Sequence, residues 1–168
     1  MFQKGDYVVY RPHGVCSIVD LETRSAKKEK TEYYVLEPLD QIGTRFYIPT
    51  NNQVACSKLS PIITKQALIE LLKQDTIFDN AWIPDENQRK QHYKALISSG
   101  DRVALIRMIH TLHQQKILNQ NIGRKLHLCD DSFLRDAQRL LDAEFSMVLE
   151  IPREQIGTYI QSMKLHSK

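Results

Sequence analysis

The sequence has few cysteines, few glycines and no long apolar run, and each shortage excludes a class of protein. Its 168 residues include three cysteines at wide spacing, with no Cys-x-x-Cys pair, which is typical of reduced thiols and not of a disulfide framework. No segment approaches the ~18 consecutive apolar residues of a membrane helix, and the first residues lack the apolar core of a signal peptide. We therefore expect a cytoplasmic protein without disulfides or a membrane span.

Motifs for catalysis and for metal binding are also missing. The six glycines form no phosphate-binding loop and no Gly-x-Gly-x-x-Gly motif, and Gly-x-Ser-x-Gly does not occur. A metal site drawn through His110, His113, His127 and Cys129 has no recognised ligand spacing, and the basic residues between these side chains disfavour a divalent cation. We expect no catalytic residue, no metal site and no cofactor.

Short runs of β-branched and aromatic residues occupy the beginning of the chain. Residues 5–22 contain two such runs separated by Arg-Pro-His-Gly, which predicts a β-hairpin. The segment 24–31 is predicted to be a charged turn. Further strands are predicted at residues 32–37, 44–49 and 54–59. Strands this short, joined by turns, predict a small SH3-like barrel or sheet in residues 1–60.

From residue 61 the apolar residues follow the period of amphipathic helices. Helix caps are predicted at Thr64, Asp85, Asp101 and either Asp130 or Asp131. Gly100 suits the left-handed position after the second helix, and Pro152 suits the start of a last helix at 153–163. We expect residues 61–168 to form an all-α bundle, so that the chain as a whole is α+β.

Positive charge is concentrated in the middle of the chain. Residues 87–127 contain eight basic side chains and one acidic side chain, a net charge of +7, whereas the whole protein carries +3. The flanking segments 64–86 and 128–168 carry −3 and −2. Such an uneven distribution is typical of a surface that meets a polyanion.

The basic residues recur at helical spacing. On the predicted third helix, Arg102 and Lys116 fall in one sector together with His113. On the predicted second helix the basic residues are Arg89, Lys90 and Lys94. One interpretation is a face that contacts phosphates, because Lys and Arg release counterions from a nucleic acid. The alternative is an ordinary solvated helix face, although such faces normally mix charges of both signs.

Trp82 is the only tryptophan and lies in a predicted loop just before the basic segment. A single tryptophan commonly packs between helices. Its position also allows a second role, as an apolar wedge against bases in the minor groove. The residues alone leave both roles open.

Four pieces of sequence, in order along the chain, resemble a known family. They are Phe2-x-x-Gly5-Asp6-x-Val8-Val9-Tyr10-x-Pro12-x-Gly14-Val15, Glu32-Tyr33-Tyr34-Val35-Leu36, Tyr47-Ile48-Pro49 and Tyr93-Lys94 with Ser99-Gly100-Asp101. Their ordered combination resembles the CarD family of bacterial transcription regulators and spans most of the chain.

The resemblance implies a fold and a function for each half of the chain. Residues 1–60 would be a Tudor-like barrel, similar to the polymerase-interacting domain of transcription-repair coupling factors, which binds the β subunit of RNA polymerase. Residues 61–168 would be a helical bundle that touches promoter DNA at the upstream edge of the melted bubble. In this family a tryptophan is wedged into the minor groove there and stabilises the open complex.

Particular residues match positions that the family uses. At the polymerase contact the resemblance implies Arg24 and Tyr47, with Arg45 two residues before Tyr47 on the same face. At the DNA contact it implies Trp82 as the wedge. The basic pair that would reach the DNA backbone is Arg124 and Lys125.

Two other hypotheses belong to different classes. The first is a protein adaptor, whose β module docks on a partner and whose basic helices meet an acidic protein surface. It differs from the DNA-binding hypothesis in the expected effect of neutralising Lys90, Lys94, Arg124 and Lys125. The second is a metal-dependent enzyme, which would require stoichiometric metal in the purified protein.

Overall fold

A computed structural model describes residues 1–26 and 29–165 and divides the chain into two units, Met1–Ile62 and Ile63–Lys168. The first unit contains an antiparallel sheet and one short helix, and the described part of the second is helical. The predicted α+β class is therefore confirmed. None of the described helices combines the length and the apolar character that crossing a membrane requires.

In the described part of the first unit, five strands form the sheet. They are β1 (Tyr7–Tyr10), β2 (Gly14–Ala26), β3 (Glu29–Pro38), β4 (Phe46–Pro49) and β5 (Leu59–Pro61), in the spatial order β4-β3-β2-β1-β5. The predicted hairpin is confirmed as β1 and β2, with Val9 opposite Val15. Gly14 has a φ of 91°, a left-handed conformation that glycine adopts without steric cost.

Two predictions in this unit were wrong. Residues 54–59 do not form a strand, because helix α1 (Gln53–Cys56) begins there and β5 starts only at Leu59. The helix forms because the Asn52 side chain accepts a hydrogen bond from the Ala55 N–H at 3.0 Å and so caps its first turn. The described part of 24–31 is not a turn either, since β2 and β3 pair as far as Ala26 and Glu29. Ladder hydrogen bonds between two long strands outweigh the charged composition, and residues 27 and 28 of that segment lie outside the described residues.

The core of the first unit lies on one face of the sheet. Its buried members are Val8, Cys16, Ile18, Tyr34, Leu36, Ile48 and Leu59. The β2–β3 register shifts between Ile18 and Asp20, as expected of a β-bulge, in which one extra residue reverses the inward and outward alternation that follows. Before the bulge the even-numbered residues of β2 face the core; after it, Glu22 and Arg24 face the other way.

The described part of the second unit contains five helices and one short 3-10 turn. They are α2 (Lys65–Leu72), the turn Asp75–Phe78, α3 (Glu86–Ser99), α4 (Arg102–Asn121), α5 (Leu128–Leu149) and α6 (Arg153–Leu165). The predicted caps at Thr64, Asp85 and Asp101 are confirmed, since each side chain accepts a backbone N–H from the residue three positions later. Gly100 has the predicted left-handed conformation, with a φ of 59°.

The predicted cap of α5 was wrong. The helix begins at Leu128 with His127 as its N-cap, so that Asp130 and Asp131 lie inside the first turn. Asp130 does not cap because its carboxylate is bound by Arg89 of α3. The apolar faces of the helices meet in one core, whose fully buried members include Leu68, Leu72, Ile77, Leu112, Phe145 and Ile156.

Candidate functional site

The residues predicted to contact polymerase lie on the outer face of the sheet or at its border. Tyr47 of β4 is paired with Val35 of β3 and points away from the core, because its neighbours Phe46 and Ile48 pack into it. The Arg24 guanidinium carbon lies 3.9 Å from the centroid of the Tyr47 ring, well within the range of a cation–π contact. The structure therefore brings together two predicted residues that are far apart in the sequence.

The Glu22 carboxylate also holds Arg24 in position. Its Nε and Nη2 donate to the Glu22 carboxylate at 3.0 and 2.9 Å, and this raises the pKa of Arg24 above its ordinary value. Arg45 precedes β4, and its Nε lies 3.9 Å from a Glu37 carboxylate oxygen. The result is an exposed surface of alternating cations, aromatic rings and carboxylates that is suited to polar contacts with another protein.

In the helical unit, Arg89 does not lie on an exposed face. It is 5% exposed, and its guanidinium donates two hydrogen bonds of 2.9 Å to the two Asp130 oxygens. The remaining terminal nitrogen donates to the carbonyls of Ile83 and Pro84 at 2.8 and 3.1 Å. Each guanidinium nitrogen of Arg89 thus has an acceptor inside the unit, and this buried side chain joins α3 to α5.

Arg102 is held in a similar way. Its Nε and Nη2 donate to the Glu144 carboxylate at 2.8 and 2.6 Å. Glu144 is buried and also accepts the backbone N–H of Ile63 at 2.9 Å. This pair joins α4, α5 and the segment before α2. The Arg102 guanidinium, which was predicted to contact phosphates, therefore points into the helical unit.

Two predicted lysines are partly exposed and have acidic neighbours. Lys90 pairs with Glu86, one turn earlier on α3, and this raises the pKa of Lys90. Lys116 of α4 lies 3.7 Å from Asp131 of α5. The sequence analysis missed these carboxylates because both lie outside the basic segment 87–127 and reach it only through the fold.

The remaining predicted cations are exposed. Lys94 lies on the outer side of α3, and Arg124 and Lys125 lie in the loop between α4 and α5. That loop is tied to the end of α4, since the Asn119 carbonyl accepts the Arg124 N–H at 2.8 Å and the Asn119 side chain donates to the Lys125 carbonyl at 3.1 Å. The structure thus holds the basic pair on an ordered loop.

Large apolar side chains flank the basic pair. Ile122 precedes it and is 65% exposed, and Leu128 follows it and is 84% exposed. Both side chains therefore lie on the surface, within three residues of the basic pair. The sequence analysis did not single out these two residues, although their position beside Gly123 and the basic pair was a usable signal.

Trp82 is half-buried and packs against the core of the helical unit. Its ring lies 4.2 Å from the Arg89 guanidinium carbon, so the tryptophan covers the buried Arg89–Asp130 pair. Trp82 therefore has the packing role, one of the two roles that the sequence left open. The residue also remains partly exposed.

The three histidines considered as metal ligands have separate neighbours. His113 lies 3.0 Å from Gln138, and burial lowers the pKa of His113. His110 packs edge-on against Phe78, and His127 caps α5. Within the described residues, no three His, Cys, Asp or Glu side chains form a group that could hold a metal ion.

Comparisons with known proteins found matches to the first unit and to the chain as a whole. Residues 2–63 match the family model of the CarD-like/TRCF RID domain. A Bacillus subtilis (strain 168) protein named "Putative transcription factor YdeB" is 26% identical over 165 residues, which is 95% of this chain and 99% of the relative. The match of residues 2–63 covers the N-terminal unit and confirms the resemblance of this chain to the CarD family.

Proposed function

We propose that this chain is a transcription regulator that binds the β subunit of RNA polymerase through its N-terminal unit and contacts promoter DNA through its helical unit. The contact would lie near the upstream edge of the melted bubble and stabilise the open complex. The observation that carries the proposal is the match of residues 2–63 to the RID domain, which is a polymerase-interacting domain. The name of the similar Bacillus subtilis protein also supports a transcription-associated factor.

The polymerase contact is proposed at Arg24, Tyr47 and Arg45. The bulge in β2 turns Arg24 to the outer face, and Glu22 and Tyr47 hold its guanidinium in one orientation. A side chain that is already ordered loses little conformational entropy when a partner binds. Reversing its charge would therefore remove the contact and also repel an acidic partner.

The DNA contact is proposed at the exposed cations Lys94, Arg124 and Lys125, with Lys90 and Lys116 as weaker contributors because each already has a carboxylate neighbour. Arg89 and Arg102 are left out, since their guanidinium groups are bound inside the helical unit. Contacts to phosphates give affinity without reading the base sequence. Because binding to polymerase raises the effective concentration of the helical unit near the DNA, the DNA contact need only be weak.

An apolar contact with DNA is proposed at the same loop. Ile122 and Leu128 extend from either side of the basic pair, where the cations would bring them close to the sugar–phosphate backbone. Apolar side chains placed in this way can press against a minor groove and unstack a step. Trp82 remains a second candidate for the wedge, in addition to its packing on Arg89.

The test is the lifetime of an open promoter complex formed with purified polymerase. The native protein should lengthen it, and Arg24→Glu should abolish the effect together with polymerase binding. Lys58→Glu is the matched control, because Lys58 is an exposed lysine of the same unit and its reversal should change neither result. A native protein that binds polymerase and leaves the lifetime unchanged would contradict the proposal.

A second variant separates the DNA-binding hypothesis from the protein-adaptor hypothesis. Neutralising the basic pair, Arg124→Gln with Lys125→Gln, should shorten the lifetime and leave polymerase binding intact. It should also reduce the slope of log affinity for DNA against log salt concentration by about 1.8, or ~0.9 for each phosphate that is no longer neutralised. Lys65→Gln with Lys73→Gln, exposed lysines of the same unit, is the control. An unchanged lifetime and slope would favour an acidic protein as the partner of this surface.

A further inference from the structure

A cavity of about 670 Å³ lies between α4, α5 and α6, in a part of the helical unit that the proposed function does not use. Sites for small organic molecules usually enclose ~300–1,000 Å³, so the cavity has the size of such a site. Its apolar walls come from all three helices and include Ile106, Ile109, Ile117, Leu141 and Ile160. A ligand bound there would place an apolar body against these side chains.

One carboxylate in the cavity differs from the other inward-facing acids of α5. Asp130 and Glu144 are each held by two hydrogen bonds from an arginine. Asp142 lines the cavity and is half-buried, yet among the described residues it receives no hydrogen bond, and Arg153 acts on it through its electrostatic field. Because a partly buried carboxylate without a donor is incompletely solvated, a cation that enters the cavity would find an unsatisfied partner.

The cavity is also lined by the imidazoles of His110 and His113, by the Gln138 amide and by the Glu154 carboxylate. His113 and Gln138 bond to each other at 3.0 Å, and burial lowers the pKa of His113, so the imidazole is neutral near physiological pH. Glu154 also lines the cavity and is exposed at its edge. Apart from the two imidazoles, the charged side chains that line the cavity are the carboxylates of Asp142 and Glu154 and the guanidinium of Arg153. Their charges sum to −1, which favours a cationic ligand over an anionic one.

The wall formed by α6 is open at one point. Gly157 lines the cavity in the middle of the helix, and a Cβ atom added there would meet no atom within 4 Å. Glycine in a helix interior is less stable than alanine by about 1 kcal/mol. An alanine at this position would therefore fit without a clash and without weakening the helix, and a longer side chain would take up space at the wall of the cavity.

We propose that this cavity binds a small amphiphile, with its apolar body between α4 and α6 and a protonated amine at Asp142. The proposal is independent of the proposed function and would give the helical unit a small-molecule ligand. It rests on the volume of the cavity, its apolar walls, the unbonded carboxylate and the gap at Gly157.

The test uses three probes with the same apolar body and different charges: octylamine, octanol and octanoate. Calorimetry on the full chain at a pH of about 8, where Asp142 is ionised, gives the three affinities, and amide NMR shifts locate the bound probe. Octylamine should bind at least about tenfold more tightly than octanoate, with octanol between them, as expected of a charge-assisted hydrogen bond. The largest NMR shifts should fall at Gly157 and at its neighbours in the cavity.

Three variants identify the site. Asp142→Asn should bring the affinity for octylamine close to that for octanol and leave octanol binding unchanged. Gly157→Leu should weaken all three probes, whereas Gly157→Ala adds one methyl group and should retain binding. Equal affinities for the three probes, tighter binding of octanoate, or full binding by a folded Gly157→Leu variant would each overturn the proposal.

Discussion

The helical unit uses cations from one stretch of sequence in two different ways. Arg89 and Arg102 turn inward and hold carboxylates of α5, whereas Arg124 and Lys125 remain on an exposed loop. All four belong to the segment 87–127 with its net charge of +7. The first two join helices, and only the second two can meet a phosphate.

The difference shows that the charge of a segment is not the charge of a surface. The carboxylates that neutralise the basic segment come from other parts of the chain, among them Glu86, Asp130, Asp131 and Glu144. A buried ion pair and an exposed cation also differ in energy. Removing one partner of a buried pair is costly because the other charge loses its compensation, whereas an exposed cation is already solvated.

The largest predicted effect concerns the buried ion pair of Arg89 and Asp130. Asp130→Ala leaves the Arg89 guanidinium buried without its carboxylate, so we expect a loss of about 3–5 kcal/mol in the free energy of unfolding. Urea denaturation followed by Trp82 fluorescence measures it, because the only tryptophan lies on Arg89. Asp136→Ala, an exposed acid of the same helix, is the matched control and should change little. Similar stabilities for the two variants would refute a structural role for the pair.

A smaller effect concerns Asp142, the inward acid that, among the described residues, receives no hydrogen bond from an arginine. Burial raises the pKa of Asp142 from 3.8 to about 6. Because the folded protein retains this proton at pH values where the unfolded chain has released it, Asp142 lowers stability as the pH rises from about 4 to about 6. The stability of Asp142→Asn relative to the native protein should therefore increase over this interval and stay constant above it.

Urea denaturation at a series of pH values checks this expectation. His113, whose pKa burial lowers, changes stability in the opposite direction, but it is present in both proteins and cancels in their difference. A difference that does not depend on pH would show that the Asp142 carboxyl is fully solvated.

The smallest effect belongs to the exposed pairs. Lys90→Gln removes the ion pair with Glu86 on the surface of α3, and we expect a change in stability within about 0.5 kcal/mol. Lys94→Gln on the same helix is the control. If Lys90→Gln lowered the free energy of unfolding as much as Asp130→Ala, the distinction between inward and exposed cations would be refuted.

Local patterns in the sequence predicted most of the elements. Thr64, Asp85 and Asp101 cap the helices that they were expected to cap, because an N-cap depends on residues within one turn. The β1–β2 hairpin was predicted from Gly14 and the β-branched and aromatic runs beside it, because a hairpin also depends on residues that are close in the sequence. The cap of α5 could not be predicted, since Asp130 is claimed by Arg89 from another helix.

The candidate sites were predicted less completely than the fold. Resemblance and charge indicated the types of residue, but the contact between Arg24 and Tyr47 depends on a bulge that no periodicity reveals. The exposed Ile122 and Leu128 were missed because apolar residues in a helical pattern normally indicate a core.

The sequence by itself determined the α+β class, most of the elements and the similarity of residues 2–63 to the CarD-like/TRCF RID domain. These properties depend on short-range periodicity, on caps and on motifs. Only the tertiary structure decided which cations are buried, which acid receives no hydrogen bond from the described residues and where a cavity remains. Burial and ion pairing join residues that are distant in sequence, and no local pattern contains that information.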